Sequence, residues 1–400
     1  MKRAFISIIF LIVSLNLFAK EKLTIDDAIS MAMNFNPEIK KFSEKVRGAE
    51  GRRMQLEAYP NPEIVFGREG LSKERNGESE TNLGFFQTIE IPGKRRIRKE
   101  IGETEEDIAR MELERIRRIV VAKLKKVYFR AVFNQEKIKL LEGVEENLKD
   151  YIEGATLKYK AGEVSFSDVL RGRIELLKLK NEILETKKEL REELKELEKI
   201  IGKKLDGEIE LLTNLKFTPF EKSLNEILEE LYSLPSIRIE ELKLLVAEKG
   251  VELSKKSFYP DFKIGFYYPS LRKGAWGFEF GLSIPVFQKG LKGSLLEMDS
   301  YRIENQISLE TRKREIALRV ENLYLNLKDS EKIIKNYEEL IFPELEDLFS
   351  SSLSHYQSGG ISSLEFFDIL RTFKSAKIEY KKEILNYINL IVEIESVEEE

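Results

Sequence analysis

The chain has 400 residues, 34% of them charged, with 67 Lys and Arg set against 71 Asp and Glu. The resulting net charge of −4 provides no basic footprint, so no nucleic-acid partner is expected. The lack of any cysteine excludes disulfides, thiolate metal sites and cysteine nucleophiles.

Residues 1–19 read as a signal peptide. Lys2 and Arg3 form the charged start, Phe5 to Phe18 the apolar stretch, and Ala19 is a suitable last residue before cleavage. No later stretch approaches the ~18 uncharged apolar residues of a spanning helix, so any entry into a membrane is expected as a β-barrel. From Leu23 to Ala58 the pattern is helical, broken near Pro37. Thr24 is placed as N-cap, with Asp26 and Asp27 at the positive helix end. Residues 60–92 turn to Gly, Pro, Phe and alternating polarity. After Gly93 a proline-free helical stretch reaches about Tyr159, roughly 100 Å at ~1.5 Å per residue. Gly162 breaks it, and a second helix runs from about Phe166 to Ile201. Its Leu170, Ile174, Leu177, Leu184, Leu190, Leu194, Leu197 and Ile201 read as a coiled-coil seam. Residues 202–223 are a mixed connector with a short strand expected at Ile209 to Leu212.

The second half repeats this order. Tyr59-Pro60-Asn61-Pro62 recurs as Tyr259-Pro260-Asp261-Phe262, Ile91-Pro92 as Ile284-Pro285, and Tyr159-x-x-Gly162 as Tyr356-x-x-Gly359. Two structural repeats are expected, which is not the signature of a short-repeat solenoid. The first covers 20–223, with a strand pair at 62–92 and a tip at 159–167. The second covers 224–400, with a strand pair at 261–287, a tip at 356–364 and an acidic tail. Pro343 is expected to bend the second long helix, and the tail after Val392 to fray.

The extended segments alternate. Trp276, Phe278, Phe280, Leu282 and Ile284 are separated by Gly277, Glu279, Gly281 and Ser283. Phe262, Ile264, Phe266 and Tyr268 alternate with Lys263, Gly265 and Tyr267. Leu83, Phe85, Ile89 and Ile91 alternate with small or polar residues, although Phe86 and Gln87 fall out of register. Ile64 and Phe66 begin a fourth strand. Lengths near ~9–11 residues suit tilted bilayer-crossing strands, apolar outside and polar within. Phe66, Phe85, Phe262, Phe266, Trp276, Phe278 and Phe280 are the lipid-facing candidates, and Trp276, Phe278, Tyr267 and Tyr268 the interfacial girdle. The competing reading is a soluble sheet with one face on a core. Four strands cannot enclose a lumen, since about 8 is the minimum, so a barrel requires several copies. The fold class expected is mainly α with a small β part. No nucleophile, phosphate loop or clustered metal-ligating set emerges, and the single histidine, His355, makes no metal site. Neither a cofactor nor an enzymatic activity is expected.

Over essentially its whole mature length the chain resembles the TolC-type outer-membrane efflux proteins. The features that carry the likeness are Leu23-Thr24-Ile25-Asp26-Asp27-Ala28 with Asn36-Pro37-Glu38, the Tyr59-Pro60-Asn61-Pro62 strand entry, and the two Tyr-x-x-Gly helix breaks. Gln87-Thr88-Ile89-Glu90-Ile91-Pro92-Gly93-Lys94-Arg95 is similar to the CzcC-like branch that serves heavy-metal efflux. The resemblance implies a homotrimer with a 12-stranded outer-membrane barrel over an α-helical periplasmic tunnel. It implies a periplasmic adaptor (membrane fusion) protein and an inner-membrane pump, proton-driven or of ABC type, as partners. The tip residues Ala161, Gly162, Glu163, Val164, Gly359, Gly360 and Ile361 would face the adaptor. Glu365 and Asp368 would form carboxylate rings at the gate. Tyr356, Asp168 and Ser167 would link neighbouring coils. The family often has an arginine where this chain has Ile361, so an ion-pair lock there lacks its cation. Lys94, Arg95, Arg96, Arg98 and Lys99 oppose the dipole at a helix start. They read either as contacts to anionic outer-membrane lipid or as a charge run balanced by Glu100, Glu103, Glu105 and Glu106. The function expected is the exit duct of a tripartite efflux system, with cargo of metal cations or drugs. The alternatives are the duct of a type I protein secretion system and a pore-free periplasmic coiled-coil adaptor.

Overall fold

The computed structural model describes residues 21–69, 80–205, 207–270 and 275–397; the expected signal peptide lies outside them. In chain order the elements are β1 (Glu21–Leu23), α1 (Ile25–Phe35), α2 (Pro37–Glu57), β2 (Glu63–Glu69), β3 (Glu80–Ile89), α3 (Lys94–Lys160) and α4 (Phe166–Ile201). There follow β4 (Ile209–Leu211), α5 (Leu224–Glu230), α6 (Pro235–Lys256), β5 (Asp261–Ser270), β6 (Ala275–Ser283), α7 (Lys289–Asn336), α8 (Phe342–Ser358) and α9 (Ser363–Glu395). Among the described residues no helix is long and apolar enough to cross a membrane. The chain divides into two compact units. One holds the residues up to Lys40, Ile116–Glu230 and those from Ile316 on; the other holds Lys41–Arg115 and Leu231–Glu315. Each unit draws on both halves of the sequence.

The second unit contains a four-stranded antiparallel sheet in the order β2-β3-β5-β6. Register aligns the apolar residues in rows across all four strands. Ile64 pairs with Phe85, Phe85 with Phe266, and Phe266 with Phe278. Ile264 pairs with Phe280, and Phe262 with both Ile89 and Leu282. Side chains alternate across a pleated strand, so these rows share one face. The other face carries Glu63, Gly84, Phe86, Lys263, Gly265 and Glu279. Phe86, out of register in the sequence pattern, has its place there. Gly265 is its direct cross-strand partner, and a Cβ on Gly265 or Gly84 would lie 2.3 or 2.5 Å from the Phe86 ring. Two glycines thus leave room for one ring, and Lys263 lies 4.9 Å above it.

The first unit is helical. Thr24 caps α1 in a reciprocal box with Asp27. Asn36, between α1 and α2, accepts from the Ile39 N–H at 3.0 Å and donates 2.6 Å to the Ile200 carbonyl. That bond, with Gly202 at φ +78 against the Phe35 carbonyl, fastens the end of α4 to the α1–α2 corner. β1 and β4 form a small parallel pair. The connector behind β4 is stitched to helices by side chains. Gln135 exchanges two hydrogen bonds with Leu211, Glu136 accepts from the Leu215 N–H at 2.7 Å, and the Tyr387 hydroxyl accepts from Phe220 at 2.8 Å. The core near the turns comprises Leu141, Leu148, Tyr151, Val169, Leu179 and Ile183 with Tyr356, Phe366, Phe367 and Leu370.

Three expectations change. On α4 the residues buried within the chain are Val169, Gly172, Leu179, Ile183 and Thr186, together with Leu197 and Ile201. Leu170, Ile174, Leu177 and Leu184 are exposed on the opposite side. The helix carries two apolar stripes, and a period near 3.5 does not tell which of them meets the chain's own core. At the second bend, the irregularity is a π turn over Tyr337–Ile341, with Pro343 in the first turn of α8. Proline lacks an N–H for the preceding turn and is tolerated at a helix start. Finally, α9 continues to Glu395, and Val392, Ile394 and Val397 are buried. The apolar residues interleaved with the glutamates fix that segment.

Candidate functional site

The sheet is the first candidate surface, a wall with two unlike faces. Phe66, Phe85, Phe262, Phe266, Trp276, Phe278 and Phe280 are all exposed, Phe280 at 79%. They lie on the apolar face and touch one another at Phe266–Trp276, Phe266–Phe278 and Trp276–Phe278, with ring centroids 5.4–6.1 Å apart. The opposite face carries the Lys263–Glu63 ion pair at 2.6 Å. Such a sheet leaves aromatic surface with nothing to cover it in water; hydrocarbon on one side and water on the other satisfy both faces. The side chain of Tyr267 lies outside the described residues.

Beneath the sheet sits the basic cluster, and each member has a partner inside the chain. Lys94 is buried, 2.8 Å from Asp261, and donates to the Tyr259 carbonyl at 3.2 Å. The Asp261 carboxylate also accepts from the Ile91 N–H. Arg95 donates 2.6 Å to the Glu57 carbonyl and covers the Tyr59 ring at 3.8 Å. Arg98 grips Glu90 with both terminal nitrogens at 2.5 and 2.6 Å and reaches the Leu56 carbonyl. Arg96 and Lys99 pair with Glu100 and Glu103, as the charge-balance reading expects. The strongest partners, Glu90 and Asp261, are those the sequence reading missed. They mark the end of one hairpin and the start of the next, so the cations tie strand ends to the helix start. The opposing charge at the α3 dipole is thereby compensated internally.

At the helix turns, Gly162 and Gly359 adopt φ +79 and +84, the left-handed conformation that ends α3 and α8. Ala161, Glu163, Gly359 and Gly360 are exposed, and Val164 and Ile361 half-buried. Each turn leads into a capped helix. Ser165 and Asp168 form the box of α4, with the Ser165 N–H and hydroxyl at 3.2 and 3.1 Å from the carboxylate. Ser167 contacts the Ser165 hydroxyl. Ser362 and Glu365 form the same box on α9, both bonds at 2.8 Å. Asp168 and Glu365 therefore occupy matching positions, and S-x-x-D and S-x-x-E are the sequence signals that announce them. The Ser362 N–H, with its hydroxyl, holds the Glu365 carboxyl below the ordinary carboxylate range. Asp368 is exposed one turn further on.

Among the described residues the Tyr356 hydroxyl makes no hydrogen bond to Asp168 within the chain. Tyr356 is 3% exposed, packed 4.6 Å from the Tyr151 ring and 5.9 Å from Phe366, and Lys158 donates to its carbonyl at 2.9 Å. Burial raises the Tyr151 hydroxyl far above its usual pKa. Sequence reading also missed a charged clasp between α4 and α9. Arg371 meets Glu175 and Lys374 meets Glu182, both at 2.7 Å, around a cavity of about 520 Å³ with Leu148, Leu179 and Phe367 in its lining. Burial would raise the Glu175 pKa, but hydrogen bonds from Arg371 and Lys178 outweigh it and leave it lowered. Among the described residues no group of His, Asp and Glu is arranged to hold a metal ion.

The family model described as outer membrane efflux protein matches residues 28–203. The chain is 24% identical over 370 residues to the cobalt-zinc-cadmium resistance protein CzcC of Cupriavidus metallidurans, covering 90% of this chain and 85% of that protein. Its fold superposes on CusC, described as forming a transmembrane channel, with TM-score 0.77 and 17% identity, covering 93% of this chain and 90% of that one. It superposes equally on the open state of the MtrE outer membrane channel of Neisseria gonorrhoeae, with TM-score 0.77 and 15% identity over 94% and 88% of the two chains. With the two-faced sheet and the paired helix turns, these likenesses give the chain the fold of the TolC-type outer membrane channels, with residues 28–203 similar to the outer membrane efflux proteins.

Proposed function

We propose that three copies of this chain close into one outer-membrane exit duct of a tripartite efflux system, each giving four strands to a 12-stranded barrel. The observation that carries the reading is the sheet with aromatic residues exposed along one face and Glu63, Lys263 and Glu279 on the other. A pore-free adaptor has no need of that face. Four strands fall short of the ~8 that enclose a lumen, so sister copies complete the ring. The two halves, 20–223 and 224–400, are read as copies of one unit, giving the trimer an approximate sixfold repeat.

Transport through the duct is passive, and the helix turns form its periplasmic end. There Glu365 and Asp368, in three copies, are proposed to gate and to attract cations. The segments Ala161–Val164 and Gly359–Ile361 are proposed to dock a periplasmic adaptor that reaches an inner-membrane pump. Divalent metal cations are the proposed cargo, from the likeness to a cobalt-zinc-cadmium resistance protein. The test is fractionation of expressing cells, then planar-bilayer recording of the purified protein. An outer-membrane trimer with discrete conductance supports the duct. A water-soluble periplasmic monomer without conductance removes it. Glu365→Gln with Asp368→Asn should change cation preference, and unchanged preference would take both residues out of the gate. Cells lacking the protein should become sensitive to cobalt, zinc or cadmium, and unaltered tolerance of all three would refute the cargo.

A further inference from the structure

The helical unit has two open edges that none of the described residues covers. Its central helices are α3 and α9. α3 is tied to α4 by Arg130–Glu193 and to α9 by Lys125–Glu395. α9 in turn meets α4 through the Arg371–Glu175 clasp and α8 through Lys377–Glu346. α4 and α8 are left as edges, and both carry apolar residues turned away from the core. On α4 these are Leu170, Ile174 and Leu177, the last 62% exposed. On the π turn and α8 they are Leu340, Ile341 and Leu348, with Leu340 65% exposed.

The two edges complement each other rather than themselves. α4 runs away from its turn and α8 runs toward its own. The turns are level, because Lys158 beside one donates to Tyr356 beside the other. Counted from Gly162 and Gly359, Ile174 and Leu348 stand at nearly the same level; Leu170 lies nearer the turn, and Leu177 falls between Leu348 and Ile341 above them. The charges also divide by sign. Arg171 and Arg173 flank the α4 stripe, Glu344 and Asp347 flank the α8 stripe, all four are exposed, and among the described residues no side-chain ion pair engages any of them. Two α4 edges set face to face would bring arginine to arginine, whereas α4 against α8 brings arginine to carboxylate. The sheet, in its own unit, shows the same polarity, with free edges on β2 and β6.

We infer that the α4 edge of one copy packs antiparallel on the α8 edge of the next, head to tail, with Arg171 and Arg173 meeting Glu344 and Asp347. This rests on the proposed trimeric duct and names the residues of its helical seam. A head-to-tail contact closes a ring in which every stripe is covered, which a two-fold contact does not do. It also supplies cations near the turns, where Ile361 supplies none.

The natural chain has no cysteine, so oxidation of introduced ones reads contacts cleanly. Full-length protein carrying Ile174→Cys and Leu348→Cys should give a covalent ladder ending at three copies. Each single variant should give none. Dimers from either single variant would overturn the inference, because they report like edges meeting. An outer-membrane trimer in which the double variant stays unlinked would overturn the seam while leaving the duct intact. A chain that is monomeric and outside the membrane fails the duct reading itself, and the seam with it. As a second measurement, Arg171→Glu with Arg173→Glu should lower the temperature at which the trimer dissociates, and adding Glu344→Arg with Asp347→Arg should restore it. An unchanged dissociation temperature in the first variant, or no recovery in the second, would remove the ion pairs.

Discussion

Substituting alanine for glycine at two helix positions tests how tightly the helices pack near the turns. Gly172 on α4 and Gly143 on α3 both sit in helix interiors, where Gly→Ala by itself stabilises by about 0.5–1 kcal/mol. Their surroundings differ. A Cβ at Gly143 meets nothing within 4 Å, whereas one at Gly172 would lie 2.9 Å from both the Tyr151 ring and Ile152. The Tyr151 ring cannot recede. It stacks on Phe366 at 4.8 Å with planes 8° apart, and Tyr356 and Phe367 lie at 4.6 and 4.8 Å. Inserting a methyl into such a core costs about 1–3 kcal/mol. Gly143→Ala should therefore raise stability slightly, and Gly172→Ala should range from neutral to a loss of about 2 kcal/mol. The assay is loss of the helical circular-dichroism signal on heating and in denaturant, comparing both variants in the same detergent. The reasoning is refuted if Gly172→Ala unfolds at or above the midpoint of Gly143→Ala, because the aromatic cluster would then be yielding.

Three further outcomes are expected. Phe280→Arg places a charge on the apolar face at a cost of about 2–4 kcal/mol near a bilayer midplane, so its yield in the outer-membrane fraction should fall while Phe280→Leu stays near wild type. Lys94→Met leaves Asp261 without its cation and should lower the thermal midpoint by an amount corresponding to about 1–3 kcal/mol, less than the ~3–5 of a fully buried pair; adding Asp261→Asn should recover part of it, and equal loss in both variants would show that the charge is immaterial. Because the Glu365 carboxyl is held below its ordinary pKa by Ser362, its contribution to the α9 cap is complete above the unfolded-state value and lost as pH falls through the lowered one. Hydrogen exchange at the first turn of α9, corrected for intrinsic rates, should accelerate over that acid window in wild type and show no such step in Glu365→Gln.

Much of this molecule could be read before any coordinates. The period-two aromatics of β5 and β6, the capping pairs Thr24–Asp27 and Ser362–Glu365, and the turn glycines are local signals, each fixed by residues a few positions apart. Local chemistry also dictated that Asn36-Pro37 would divide two helices. What Asn36 does beyond that, gripping the Ile200 carbonyl, lies across 164 residues and has no local trace. The same holds for Lys94–Asp261 and Arg371–Glu175, whose partners are chosen only when strand ends and helices are brought side by side.

The sequence by itself determined the elements, their order and the two-faced character of the strands, because periodicity and capping depend on neighbours along the chain. Tertiary structure alone decided which of the two stripes on α4 meets the chain's own core, that Tyr356 packs into an aromatic cluster with Tyr151 and Phe366, and that the basic residues after Gly93 hold strand ends. Those outcomes depend on which surfaces approach in space, and a single apolar period looks the same whether its partner is the same chain, a sister copy or lipid.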